Sequence, residues 1–149
     1  MRKSLVWRGL TVIWCGFIFY MSSRTGDESS LDSGWVSLVL SNVLEFVTNR
    51  QDIQMPALLI RKAAHFLEYF VLGFLLYKSF NICSRSKAKV LKPAAVGVFY
   101  AMTDEVHQFF VPGRAMQLTD VGIDSLGVFS AICILYFFSE IKAKSKSPA

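Results

Sequence analysis

Residues 118–138 read Leu-Thr-Asp-Val-Gly-Ile-Asp-Ser-Leu-Gly-Val-Phe-Ser-Ala-Ile-Cys-Ile-Leu-Tyr-Phe-Phe, and this run decides the fold. It has the roughly 20 residues with which a helix crosses about 30 Å of hydrocarbon. Lipid gives backbone N–H and C=O groups no water to bond, so a spanning segment must be a helix or part of a closed barrel. The run shows no period-2 alternation, which leaves the helix. Its two acids, Asp120 and Asp124, stand one turn apart on one face. Gly127 follows within another turn, where a neighbouring helix can approach closely.

Three more apolar runs lie N-terminal to it, at residues 5–21, 64–82 and 93–111. The first follows Met1-Arg2-Lys3 as a secretory signal would, but the bulky Phe19-Tyr20-Met21 lacks a small-residue cleavage pattern, so it is read as a retained span. The expectation is an all-α integral membrane bundle of about four transmembrane helices, forming a single unit over residues 1–149. Composition agrees. The chain is 53% hydrophobic against 18% charged, with 13 Phe, 5 Tyr and 3 Trp, and its mean hydropathy is +0.41. A soluble domain of this size leaves much of its surface in water and has nowhere to hide so much apolar area.

The formal charge of +5 does not indicate a nucleic-acid partner, because the cations stand in short clusters between apolar runs. Eleven Lys and Arg residues fall at the amino end, around the connection of the second and third runs, and in the tail, against five elsewhere: Arg24, Arg50, Arg61, Lys62 and Arg114. By the positive-inside rule, both termini are expected in the cytoplasm. Cys15, Cys83 and Cys133 show no paired spacing, so no disulfide framework is indicated.

On the outer side this leaves a long connection, residues 22–63, and a short one around Pro112-Gly113-Arg114. Within 35–47 the polar residues Ser37, Ser41, Asn42 and Glu45 recur at helical steps among Leu, Val and Phe, which predicts an outer amphipathic helix. Lying on the membrane surface and packing on the bundle both remain open for it. No internal repeat occurs.

Polar residues inside spans cost roughly 2.5 to 3.5 kcal/mol each near the bilayer centre, so they mark internal pairing or function. Lys62, His65 and Tyr69 share one face of the second span, with Glu68 at its border. In the third, Asp104, His107 and Gln108 share a face and Glu105 points about 100° away. Asp104 lies eleven residues past Pro93, about 16 Å along the helix and just beyond the midplane. Pro112 and Gly113 reverse the chain, Arg114 stands at the outer rim, and Asp120 and Asp124 complete the set.

These motifs, Arg61-Lys62-Ala63-Ala64-His65-Phe66-Leu67-Glu68-Tyr69, then Asp104-Glu105-Val106-His107-Gln108 through Pro112-Gly113-Arg114, then Asp120 through Asp124 to Gly127, resemble in order and spacing those of the VanZ-like family. The likeness covers about 60–130, and Phe19-Tyr20-Met21-Ser22-Ser23 resembles that family's first-helix ending. The resemblance implies a bacterial cell-envelope protein, in the cell membrane and multi-pass, and a role in lowering susceptibility to teicoplanin-type glycopeptides. It does not imply a reaction.

Two readings of the polar residues stand open. In one, Arg61, Lys62 and Arg114 neutralise Glu68, Asp104, Glu105, Asp120 and Asp124 in a structural network, with two negative charges left to be balanced. In the other they form an outward-opening site. There Asp104, His107, His65, Glu68 and Asp120 serve as candidate catalytic groups, with Asp104 and His107 nearest any proton transfer. Lys62, Tyr69, Glu105, Gln108, Arg114 and Asp124 bind an anionic lipid or lipid-linked envelope precursor. A hydrolase or transferase is the enzymatic version and a lipid-binding or envelope-remodelling protein the non-enzymatic one. His and carboxylates could ligate Zn or Mn, but no HExxH-like or paired-His spacing supports a metal, and the sequence leaves any cofactor unknown. Transport fits poorly, because polar groups confined to the outer half offer no path inward.

Overall fold

The computed structural model describes residues 2–81 and 88–145. Among them it is all-α, with five helices: α1 Arg2–Ser22, α2 Gly26–Thr48, α3 Ala57–Asn81, α4 Ala88–Phe109 and α5 Leu118–Lys144. The expected end of the second span at 82, the cations Arg85, Lys87 and Lys146, and Cys83 lie outside the described residues.

Two of the four expected spans, α1 over Ser4–Ser22 and α5 over Leu118–Ala143, are long and apolar enough to cross a membrane. The helices α3 and α4 do not meet that measure. Arg61, Lys62, Glu68 and Lys78 interrupt the apolar run of α3, and Lys89, Lys92, Asp104 and Glu105 that of α4. Both are nonetheless part of the bundle. α3 is its centre, packed along α1, α2, α4 and α5, and α4 packs on α5 as well.

The core forms where these helices meet, around Ile18, Tyr69, Leu72, Leu76, Ala101, Val128 and Ile132. The close crossing of α3 and α5 depends on glycine. A Cβ on Gly127 would stand 2.4 Å from the Phe66 carbonyl oxygen, and one on Gly73 2.7 Å from that of Val128. Small residues let two backbones approach in this way. Outward-facing apolar residues are numerous, among them Leu5, Val12, Ile13, Phe99, Val106, Phe137 and Phe138.

Except for α5, which starts at Leu118 as expected, the elements also start earlier than expected. α3 begins at Ala57, seven residues before the apolar run at 64, so Arg61, Lys62 and His65 sit within its first turns. Pro93 is not the start of α4 but lies inside it. The outer helix spans 26–48 rather than 35–47. Thr25 is its N-cap in a capping box: its Oγ accepts from the Glu28 amide, and its own amide donates to Glu28 Oε2 at 2.9 Å. Those bonds from Thr25 hold the exposed Glu28 carboxyl below the usual range. Asn49, in the left-handed conformation, closes the helix.

α2 packs on α3, and its polar stripe is used by the chain itself. Ser37 donates to the Met55 carbonyl, Ser41 accepts from the Met55 amide at 3.0 Å, and Glu45 accepts from the Ile53 amide at 3.0 Å. The returning segment 53–55 covers the side that an amphipathic reading turns to water, and Trp35, Val43, Phe46 and Val47 remain exposed.

Candidate functional site

One end of the bundle gathers the polar motifs. Thr11 meets Ser79 and Tyr77 meets Ser139 at the opposite end. Where α1 stops, α2 starts and α4 turns into α5, a cavity of about 190 Å³ opens. Its outer wall carries three guanidinium groups, Arg24, Arg61 and Arg114. Deeper lie His65, Glu68 and Asp104, while α2 contributes Ser29, Asp32, Ser33 and Val36.

The turn that presents Arg114 is clamped to the start of α2. The Gly26 amide donates to the Pro112 carbonyl at 3.0 Å. A Cβ on Gly26 would stand 2.0 Å from the Gly113 oxygen, and Gly113 itself adopts φ +73°. Glycine is required at both positions, by space at the first and by backbone conformation at the second. Arg114 then donates to the Arg24 carbonyl at 3.0 Å, to Gln108 Oε1 at 3.2 Å and to the Met21 carbonyl at 3.4 Å. All three acceptors are neutral, so no carboxylate takes its charge directly. Burial, with Arg61 nearby, lowers its pKa, but a guanidinium stays cationic at any physiological pH. Arg61 has no ion pair or hydrogen bond among the described residues. Arg24 pairs with Asp32 at 2.6 Å.

Asp104 is 4% exposed. Its Oδ2 accepts from Gln108 Nε2 at 3.2 Å, and the hydroxyls of Ser22 and Tyr69 lie beside the carboxyl. Neither hydroxyl, nor Asp104 Oδ1, reaches hydrogen-bond geometry with any group. Behind the cavity, Lys62 Nζ contacts Asp120 Oδ1 at 2.5 Å. His65 Nδ1 stands 3.6 Å from Asp124 Oδ1, beyond hydrogen-bond distance, and both Asp124 oxygens are buried without a partner. Orphaned buried polar atoms are rare in folded proteins, and their concentration here points to a ligand, water or proton.

The candidates therefore divide. His65, Glu68, Asp104 and Arg114 line the cavity, and Gln108 and Tyr69 stand against Asp104. Lys62, Asp120 and Asp124 form the layer behind. Glu105 and His107 point elsewhere. Glu105, fully buried, accepts from the Gln117 amide at 2.8 Å and fastens the segment leading into α5. His107 stacks on Phe19 at 4.4 Å and meets Ser23 Oγ through Nε2 at 3.0 Å. The Ser23 hydroxyl gives its single proton to the Phe19 carbonyl at 2.7 Å, so His107 Nε2 is the donor in that contact. A histidine that donates to a serine does not activate it as a nucleophile.

Ser22, Arg24, Ser29, Asp32 and Ser33 are site residues that sequence reasoning missed. The signal was the capping-box spacing Thr25-x-x-Glu28, which starts α2 nine residues before 35 and brings Ser29, Asp32 and Ser33 onto a helix. Among the described residues, no three His, Cys, Asp or Glu side chains converge as a metal site.

The fold and site thus define an all-helical membrane protein with a polar cavity at one end of its bundle. The VanZ/LLP1 family profile matches residues 8–139, and the chain belongs to that family. The match takes in α1 and α2 as well as the motifs over 60–130. No curated protein and no solved structure matches the chain.

Proposed function

We propose that this VanZ-like envelope protein crosses the bacterial cell membrane four times with its cavity facing outward. There it binds the anionic head group of a lipid or lipid-linked envelope precursor and so lowers susceptibility to teicoplanin-type glycopeptides. The four-span reading is supported by packing: α3 lies along both α1 and α5, and α4 lies along α3 and α5, so helices that cross take these two with them. Buried inside the bundle, Asp104, Glu105 and Asp124 are shielded from hydrocarbon.

The observation that carries the binding reading is the pair Arg61 and Arg114 on the cavity wall, neither with a carboxylate partner. Guanidinium groups held this way are suited to phosphate. Phosphatidylglycerol titrated into the purified protein should give saturable binding by native mass spectrometry, and Arg61→Gln should weaken it by about tenfold. Expression in a sensitive bacterium should raise the inhibitory concentration of teicoplanin. No change, with insertion verified, would remove the resistance role.

A second reading, a non-catalytic protein whose charges form a structural network, is favoured by one part of the cluster. Lys62–Asp120 and Glu105–Gln117 tie α3 and α4 to the start of α5. These contacts lie outside the cavity and are compatible with a binding site in front of them.

A further inference from the structure

We propose that the head group held in this cavity carries an ammonium group beside its phosphate, with Arg61 and Arg114 receiving the phosphate and Glu68 and Asp104 the ammonium. The proposal rests on reading the cavity as a lipid head-group site. Three cations and three acids line it, but Arg24 and Asp32 neutralise each other at 2.6 Å. Two guanidinium and two carboxyl groups remain, and they do not pair. Among the described residues, no ion pair joins Arg61 or Arg114 to Glu68 or Asp104.

The two signs are also separated in depth. Glu68 lies seven residues beyond Arg61, about 10 Å further along α3. Asp104 lies one turn below Gln108, the residue that takes Arg114. Asp104 is more than nine-tenths buried and lines the cavity with Oδ1 unpartnered.

A ligand with phosphate alone, such as phosphatidylglycerol, would satisfy the outer tier and leave the inner carboxyl groups unmet, so it binds more weakly than one that also carries an ammonium. A simple cation would satisfy the inner tier and leave two guanidinium groups uncompensated. Charges withdrawn from water need partners of opposite sign, and one molecule carrying both matches both tiers. Ser29 and Ser33, at the α2 wall, supply further hydrogen-bonding groups for the phosphate.

The test compares two lipids with the same acyl chains, phosphatidylethanolamine and its N-acetylated derivative, which keeps the phosphate and loses the ammonium. Each is titrated into the purified full chain by native mass spectrometry, with diacylglycerol as the phosphate-free control. The wild type should bind the acetylated lipid about tenfold more weakly, as expected for loss of a charged hydrogen bond. Glu68→Gln should erase that difference, whereas Arg61→Gln should weaken both lipids alike. Asp104→Asn makes the same comparison if Glu68→Gln does not fold. Equal binding of the two lipids by the wild type, or a difference that survives both carboxylate substitutions, overturns the ammonium assignment and leaves the phosphate site standing. Binding of both lipids no tighter than diacylglycerol would instead overturn the head-group reading itself.

Discussion

Glu105 and Asp124 are both fully buried, yet their surroundings make opposite demands. Glu105 fastens the Gln117 backbone amide at 2.8 Å, so Glu105→Ala loses that bond and empties a buried site, and should cost about 1–3 kcal/mol. Asp124 makes no such bond: neither oxygen has a hydrogen-bond partner, and His65, 3.6 Å away, pairs with it only when protonated. Asp124→Asn should therefore leave the thermal midpoint in detergent unchanged or raised, because groups kept for function are often badly arranged for stability. A fall as large as that of Glu105→Ala would mean that the Asp124 carboxylate serves the fold. Sequence reasoning saw both acids but had no means of separating these roles, since what divides them is a loop amide twelve residues away from Glu105. The same limit explains Asp104 and His107. A spacing of three residues leaves two side chains about 60° apart on a helix. That angle directs Asp104 to the cavity and His107 to Phe19 and Ser23.

At the scale of the helix, the glycines of α5 give a direct comparison. Gly127 meets the Phe66 carbonyl with no space for a Cβ, whereas Gly122 has nothing within 4 Å. Gly127→Ala must push α5 off α3 and should cost about 1–3 kcal/mol. Gly122→Ala fills open space and should be neutral or stabilising through helix propensity. Thermal unfolding of the two variants in the same detergent checks the crossing, and equal midpoints would mean that α3 and α5 are further apart. Gly127 was legible as a packing residue because it lies on the motif face of an apolar run. α2 was legible only in part. Its 35–47 half shows the helical period, but Asp27, Glu28, Ser29, Ser30, Asp32 and Ser33 hide its first turns among polar residues. The periodicity was also incomplete as a guide to environment. Ser37, Ser41 and Glu45 look like a solvated stripe, but the backbone of 53–55 uses them, leaving α2 with exposed Trp35, Phe46 and Val47. An exposed aromatic and aliphatic surface of this kind suits the membrane interface better than water.

For the whole molecule, what matters is how many helices cross, and one position decides it. If only α1 and α5 crossed, both termini would share one side and everything between them would lie on the other. If all four cross, the α3–α4 connection returns to the side of the termini, which the cationic bias of eleven against five makes the cytoplasm. The turn between α4 and α5 lies opposite the termini in either case, so labelling there reports orientation alone. Ala115 suits that purpose, being exposed, small and next to Arg114. Lys87, which lies outside the described residues, reports the number of crossings. The background removes Cys15, Cys83 and Cys133 by substitution with serine. Tyr100 bonds the Cys15 carbonyl at 2.7 Å rather than its thiol, so that bond survives the change. In intact cells, Ala115→Cys should react with an impermeant maleimide and Lys87→Cys should react only after the membrane is opened. Labelling of both positions in intact cells would leave α1 and α5 as the only crossings, with α3 and α4 outside the membrane. Labelling of Lys87→Cys without Ala115→Cys would invert the orientation, and the three arginines of the cavity would then face the cytoplasmic leaflet.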